Sequence, residues 1–519
     1  MKINILDCTL RDGGYINDWK FRNSEISKII DSLEKSGIDI IECGYLNDKN
    51  GQVKNSTLYD SLDTADKILS NSNSLIQKVI MINLGDYDID KLKSKNETVI
   101  DGIRLAFHKK DLDLALKEAN KIIQLGYKLF FQPMVTKNYT EIDFLSLVEK
   151  VNQLNPHAFY IVDSFGSMTL NEFQNYMMFA DSKLNEKIIL GYHSHNNMQL
   201  AFSNAINMCN TDFSRDIIID SSIYGIGRGA GNLNTELITD YLNNTFNEKY
   251  ETLPLLEIID EFLNSLMKKK PWGFSPAQYL SASFDCHPNY ATYLINKNTN
   301  HIVGVRKVLE KLSDENKSSF DKELIEKLYI DSLLEIKTTI TGTLNIPINK
   351  KVLLVASGKS VEKYKDIINN KVNDENYITI ALNHKETFEC DYYFFSNQKR
   401  FDEFKFVLPM NKIIITSNVL SDIELETVVD FKSLPFVGKR FVTNVAIVIV
   451  NYLITQGIAE VEIAGLDGYQ VGMDNYSYKE TSVISDDKEL IEQNNIIKES
   501  IKSLAKDIDI TFVTPSIFK

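Results

Sequence analysis

No apolar run in the chain reaches the roughly 20 residues needed to span a bilayer. Basic charge is not in excess either. The 57 Lys and Arg stand against 71 Asp and Glu, a net charge of −14 spread along the chain rather than gathered in a tail. Sequence-independent binding to nucleic acid or to an anionic membrane needs a basic face, so neither is expected. Cysteine is sparse: Cys8, Cys43, Cys209, Cys286 and Cys390 are scattered, odd in number and form no CxxC pair. That pattern reads as reduced thiols in a cytosolic protein, not as a disulfide framework. The opening MKINILDCTLRDGG runs straight into an apolar strand and a polar turn, without the regions of a secretion signal, so a cytoplasmic protein is expected. Internal repeats and low-complexity segments are missing as well.

What is present is a globular composition, 43% hydrophobic and 25% charged, over 519 residues. That length exceeds what one hydrophobic core usually organises and predicts two domains. Eight apolar runs occupy the first 225 residues: 3–8, 38–43, 78–84, 101–107, 127–134, 158–164, 187–195 and 216–222. Helix-like stretches separate them, which implies βαβ units and a parallel sheet. Eight such units in this span fit a closed (β/α)8 TIM barrel better than an open doubly wound sheet. A mostly helical region follows. A second series starts near residue 350, with runs at 351–356, 377–382, 391–395, 412–416, 461–465 and 509–513. These predict a Rossmann-like doubly wound α/β domain. The expected division is a barrel over 1–300, a helical extension over 301–345 and the second domain over 346–519, with TGTLNIPINK (341–350) as the junction.

Barrel chemistry sits where strands end at the C-terminal face. Those ends supply Arg11 and Asp12, Glu42, Asn83, Arg104, Gln132, Asp163 and Ser164, then His193 and His195, and a Gly-rich loop with Asn232. Polar groups that end apolar strands need partners, and a shared site provides them. In GYHSHNN (191–197) the two histidines are two residues apart on a strand, so both imidazoles face one way and suit a single metal ion. Asp12 adds an oxygen ligand from the first strand, which a barrel sets beside the seventh and eighth. With no thiolate expected nearby, this donor set points to Mn2+, Mg2+, Co2+, Fe2+ or Zn2+. Arg11, next to the metal, makes a second positive centre able to hold a 2-oxo acid and stabilise its enolate.

LDCTLRDGG (6–14), VDSFGS (162–167), GYHSHNN (191–197) and GIGRGAGNLNTE (225–236) resemble the DRE-TIM metallolyase superfamily over roughly residues 1–300. That superfamily includes 4-hydroxy-2-oxovalerate aldolases, hydroxymethylglutaryl-CoA lyases, and isopropylmalate and homocitrate synthases. The resemblance implies a metal bound by Asp12, His193, His195 and Asn232, Arg11 as the catalytic arginine, and Ser164 near the substrate oxygen. Glu42, Arg104 and Gln132 are expected to join Arg11 and Ser164 in binding substrate. Two departures stand out. Claisen-type synthases carry Gln where this chain has Gly14, and the valerate aldolases carry a proton-transferring His where it has Tyr15. A phenol with a pKa near 10 is a poor base without tuning. Tyr279 and His287 are therefore further candidates for proton transfer. The Gly loop YGIGRGAGN also lacks the Cys of the hydroxymethylglutaryl-CoA lyases. The variant DCTLRDGGY resembles aldolase-like proteins encoded with bacterial surface-polysaccharide genes.

In the second domain, KVLLVASGKSVEKY (351–364) lacks the first glycine of a phosphate-binding P-loop, since Leu353 stands there, and it is not GxGxxG. A single glycine before a polar helix start can still bind an anion through free N–H groups. Gly358, Lys359, Ser360, Asn383 and Asp467 make up that candidate site, with a weak resemblance to Rossmann-like domains of nucleotide-sugar enzymes. The expected ligand there is a nucleotide or nucleotide-sugar, with assembly of a homo-oligomer as the other role for the domain. The functional expectation is a divalent-metal-dependent aldolase or lyase that makes or breaks a C–C bond between a pyruvate-like 2-oxo acid and an aldehyde. The alternatives are a Claisen-type synthase using acetyl-CoA and a non-catalytic barrel scaffold.

Overall fold

All eight runs of the first region become strands in the structure, a computed structural model that describes residues 1–49, 51, 53–70, 76–297, 301–347, 349–470, 475–476 and 487–519. They are β1 (Ile3–Asp7), β2 (Ile40–Leu46), β4 (Gln77–Asn83), β5 (Gly102–Phe107), β6 (Lys128–Pro133), β7 (Ala158–Asp163), β8 (Ile189–Ser194) and β9 (Ile217–Ser221). The two-residue β3 (Leu58–Tyr59) pairs with the end of β2. Every neighbour is parallel, and β1 pairs with both β9 and β2, which closes the barrel. Strands buried on both faces are near-continuously apolar, as in β5 and β7, where every residue is buried. Two of the outer helices, Glu141–Leu154 and Leu170–Lys183, are started by side-chain caps. Thr140 and Thr169 each accept from the backbone three residues on, while Asp143 and Glu172 reach back to the cap N–H.

Two compact units result. The first comprises Met1–Thr292 with Leu312–Phe320, and the second Tyr293–Lys311 with Asp321–Lys519. The expected boundary at residue 300 lies outside the described residues. The expected junction segment belongs to the second unit, where Thr341 pairs with Val428. The second unit is built on β10 (Lys351–Val355), β11 (Tyr377–Leu382), β12 (Tyr392–Phe395), β13 (Ile413–Thr416), β14 (Thr427–Val429), a hairpin of β15 (Phe436–Val437) and β16 (Arg440–Phe441), then β17 (Glu460–Ala464) and β18 (Asp509–Phe512). Its sheet has the order β14-β13-β12-β11-β10-β17-β18, parallel throughout. The chain steps outward from β10 to β14, then returns through the buried helix Val445–Thr455 to the other side of β10. That is the doubly wound pattern. β14 was not expected, because a three-residue strand leaves too short an apolar signal. Among the described residues no helix is long and apolar enough to cross a membrane.

One buried cation fixes the foot of the strand that carries the histidine pair. Arg215 Nη1 donates to the carbonyls of Asn185 (2.8 Å) and Ile188 (3.0 Å), and Nη2 to those of Asp181 (2.8 Å) and Leu184 (3.0 Å). Its Nε meets Asp181 Oδ1 at 2.6 Å. The guanidinium thus satisfies carbonyls that the helix Leu170–Lys183 and the following turn leave open just before β8. Arg215→Ala orphans this whole set. It is expected to cost ~3 kcal/mol, read as a lowered urea midpoint at unchanged slope.

Candidate active site

Directly after β1 the chain makes one helical turn, Thr9–Asp12, anchored from below. Thr9 N donates to Asp7 Oδ1 (2.9 Å), Thr235 Oγ1 to Asp7 Oδ2 (2.7 Å), and Ile223 N to Thr9 Oγ1 (2.8 Å). The turn delivers Arg11 and Asp12, both buried, to the barrel mouth. From there a closed ring of ionisable side chains runs through the barrel. Arg11 Nη1 meets Asp12 Oδ1 at 2.6 Å, and Arg11 Nε meets Glu42 Oε2 at 2.8 Å. The same Glu42 oxygen lies 3.2 Å from Arg104 Nη1, and Arg104 Nη2 pairs with Asp220. Asp220 Oδ2 is 2.9 Å from His193 Nδ1, and His193 Nε2 is 3.6 Å from Asp12 Oδ2. Tyr160 donates to Asp220 at 3.1 Å and sets its ring 5.0 Å from the Arg104 guanidinium, while the Gln132 oxygen accepts from Arg104 Nε at 2.8 Å.

This geometry decides the charge states. Burial alone would raise the Asp12 carboxyl, but Arg11, His195 and His193 outweigh it and hold Asp12 below the usual carboxylate range. Burial is likewise outweighed at Asp220 by Arg104 and His193. His195 is pushed down to about 3 by burial, with Arg228, His193 and Arg11 adding to it against Asp12, so it is neutral at physiological pH. Around the ring, three carboxylates (Asp12, Glu42 and Asp220) stand against two guanidiniums (Arg11 and Arg104), a sum of −1 for these five groups.

The donor set fits a divalent cation. The ligand atoms of Cys8, Asp12 and His193 lie within 4.8 Å of one another. The rings of His193 and His195 are 5.4 Å apart. Asn232 pairs with His195 through the backbone, and its amide nitrogen donates to Asp12 Oδ2 and, at 3.4 Å, to Cys8 Sγ. Several buried polar atoms here have no hydrogen-bond partner, among them Arg11 Nη2, His195 Nδ1 and Asn232 Oδ1. Buried polar atoms are seldom left so, and a cluster of them marks a place for a ligand. His193 Nδ1 contacts Asp220 and its Nε2 faces the donor cluster, the arrangement that orients metal-binding histidines.

Sequence reading therefore located Asp12, His193, His195 and Asn232 in one place, but not all of the cluster. It expected no thiol there, and Cys8 corrects that. Its Sγ donates to Ser221 O at 3.1 Å, and burial together with Asp12 keeps it protonated without a metal. Glu42, Arg104 and Gln132, expected to touch substrate, are all buried, with Glu42 and Arg104 in the ring and Gln132 on Arg104. Asp220 and Tyr160 were missed, although an Asp ending the eighth run was there to read. Asp163 caps the turn after β7 by accepting from Ser167 N and Met168 N, both at 3.0 Å, while burial raises it to about 6. Asn83 stays local, donating to Asp86.

At the rim, Ser164 Oγ accepts from Val135 N at 2.9 Å. Arg228, also not anticipated, donates from Nη2 to Ser164 O (3.3 Å), approaches His287 Nε2 with Nη1 (3.3 Å), and lies 5.4 Å from the Tyr15 ring. Burial and Arg228 together hold His287 far below the ordinary histidine range. Tyr279 is 44% exposed, while its neighbour Gln278 turns inward onto Asn197. In the second unit, the expected anion site lies where the chain reverses direction, at the ends of β10 and β17. Its N–H groups are already engaged: Gly358 N donates to Gly465 O (2.8 Å), and Ser360 gives its N–H (2.7 Å) and hydroxyl to Asp467. Asn383, in the left-handed region, accepts from Ser396 N, and Lys359 is exposed.

Residues 2–259 match the HMGL-like family model. The 4-hydroxy-2-oxovalerate aldolase of Carboxydothermus hydrogenoformans is 26% identical over 266 residues, covering 50% of this chain and 75% of that protein. That of Pseudoalteromonas translucida is 21% identical over 272 residues, 51% of this chain and 77% of that protein. Among solved structures, the N-terminal domain of a candidate aldolase from Bacteroides vulgatus superposes with a TM-score of 0.50 at 27% identity, covering 58% of this chain and 99% of that one. Residues 2–259 form an HMGL-like domain, of the DRE-TIM superfamily. It is an enzyme of the lyase and aldolase class.

The departure at Gly14 has a physical cause. Trp19 lies against Gly14 and donates its indole N–H to Arg11 O at 3.0 Å, and a Cβ on residue 14 would overlap the indole ring. The Gln of the synthases therefore has no room. Gly14→Gln is expected to displace Trp19 and cost ~2 kcal/mol, seen as a lowered Tm with a changed tryptophan emission maximum.

Proposed function

We propose that the first unit is a divalent-metal-dependent aldolase acting between a pyruvate-like 2-oxo acid and an aldehyde, with Asp12, His193, His195 and Asn232 as metal ligands and Mn2+ or Mg2+ as the ion. The observation that carries this reading is the unpartnered Arg11 Nη2 beside a buried cluster of potential ligands, two of whose atoms, His195 Nδ1 and Asn232 Oδ1, also lack a partner. A bound cation supplies Lewis acidity and a fixed template for the oxygens of the oxo acid. Arg11 does the chain's own part. Its Nε and Nη1 are pinned by Glu42 and Asp12, so Nη2 is aimed without further cost at the oxygen that gains charge as the C–C bond breaks. Glu42, Arg104 and Asp220 hold that guanidinium and His193 in register, and Ser164 stands at the mouth beside them. Support comes from the aldolase names of the curated relatives, and from DCTLRDGGY for a place in surface-polysaccharide precursor metabolism.

Two outcomes check this. Purified protein is expected to hold about one divalent ion per chain by elemental analysis, and the double variant His193→Ala/His195→Ala to hold none; equal metal content in both discards the ligand assignment. In D2O, the metal-loaded enzyme is expected to exchange the methyl protons of pyruvate, since proton loss from pyruvate precedes addition and protonation of the same enolate follows cleavage. Arg11→Lys is expected to slow that exchange on the order of 100-fold while keeping the metal, because an ammonium cannot be held by two carboxylates and still present a planar donor. Wild-type exchange in Arg11→Lys would remove the arginine from the mechanism.

A further inference from the structure

The cations at the barrel mouth differ in one respect. Arg11 is paired with Asp12 and Glu42, and Arg104 with Asp220 and Glu42, whereas Arg228 has no carboxylate within 4 Å among the described residues. Its neighbours are neutral: the Ser164 carbonyl, the His287 imidazole and the Tyr15 ring. Its Nε is buried and has no partner. The loop that carries it is fixed, with Gly225, Gly229 and Gly231 all in the left-handed region, and the same loop supplies Asn232 to the donor cluster. Arg228 lies close enough to that cluster for its charge to depress His195, and it depresses His108 and His287 as well. A guanidinium held among neutral groups is electrostatically incomplete.

Charge counting says what completes it. The carboxylates and guanidiniums of the ring sum to −1, and Arg228 brings the sum to zero. A divalent cation raises the mouth to +2, and a 2-oxo acid monoanion leaves +1. We propose that Arg228, with Tyr15 and His287, forms a subsite for an anionic group, a carboxylate or a phosphoryl, at the far end of the aldehyde-derived part of the substrate. This rests on the aldolase reading above and assigns its acceptor class. Arg228 acts here as a specificity residue: its Nε–H and Nη–H groups offer a planar fork to either oxyanion, and Tyr15, 41% exposed, forms the outer wall.

The test uses full-length protein loaded with Mn2+ and pyruvate, with butanal, succinic semialdehyde or glyceraldehyde 3-phosphate as acceptor. Wild type is expected to favour one charged acceptor in kcat/KM, mainly through KM, and the preferred one tells carboxylate from phosphoryl. Arg228→Gln is expected to lower that preference at least about tenfold, the effect of losing one charge-assisted hydrogen bond, and Arg228→Lys to keep part of it. No preference in wild type, or an equal slowing of all three acceptors in Arg228→Gln, overturns the subsite. A second readout needs no turnover. Trp19 packs edge-on to Tyr15 at 4.9 Å and is one of two tryptophans, so its emission reports titration with succinate or inorganic phosphate. A saturable response that Arg228→Gln abolishes supports the subsite even in an inactive protein, and identical responses in the two proteins overturn it. Pyruvate proton exchange without charge preference overturns the subsite and leaves the aldolase reading standing; no exchange with an Arg228-dependent anion response does the reverse.

Discussion

Everything at the barrel mouth depends on the closed circuit of ion pairs through Asp12, Arg11, Glu42, Arg104, Asp220 and His193. Removing these charges from water costs several kcal/mol per ion before any is repaid by attraction. A packed apolar layer would serve stability at least as well. What the circuit provides is direction. Each guanidinium is held by two carboxylates, so neither can rotate, and the imidazole is oriented by its Nδ1 contact with Asp220, which turns Nε2 toward Asp12. Arg104 is central: fully buried, it bridges β2 and β9 from β5, which makes the orientation of a catalytic group on one side of the barrel depend on residues on the other.

The barrel was readable because burial on both faces demands unbroken apolar runs, and all eight appear in the sequence at their observed places. The histidine pair was readable because strand geometry puts alternate residues on one face, and Asp12 because closure brings the first strand to the last. Other residues were not, and for different reasons. Arg104 reads as a strand-end residue for substrate, but it lies in mid-strand, and its carboxylate partners on distant strands were not legible. Cys8 looked like any small apolar residue, and only the bend of the Thr9–Asp12 turn brings its sulfur to the donor cluster. Arg228 and Trp19 sit in loops whose path is dictated by left-handed residues and by contacts remote in sequence. Pattern reading locates chemistry that regular elements carry and loses what loops deliver.

In the second unit the crossover between β10 and β17 has the topology that gathers ligands in open α/β sheets. There the Asp467 carboxylate already takes the N–H and hydroxyl of Ser360. An internal carboxylate on the donors that a bound anion would use competes with it, so a polyanionic guest at this turn needs either a proton on Asp467 or a cation alongside. The sequence placed Gly358, Ser360 and Asp467 in one candidate site but could not show that the carboxylate takes up the serine's donors.

The packing of Trp19 on Gly14 also bears on how this branch relates to the synthases. The two positions are locked together: a larger side chain at 14 is tolerated only after the indole has gone, and losing the indole first removes the donor that holds the Arg11 carbonyl. Neither single change lies on an easy path. A lineage moving between the two chemistries would cross a valley at these two sites.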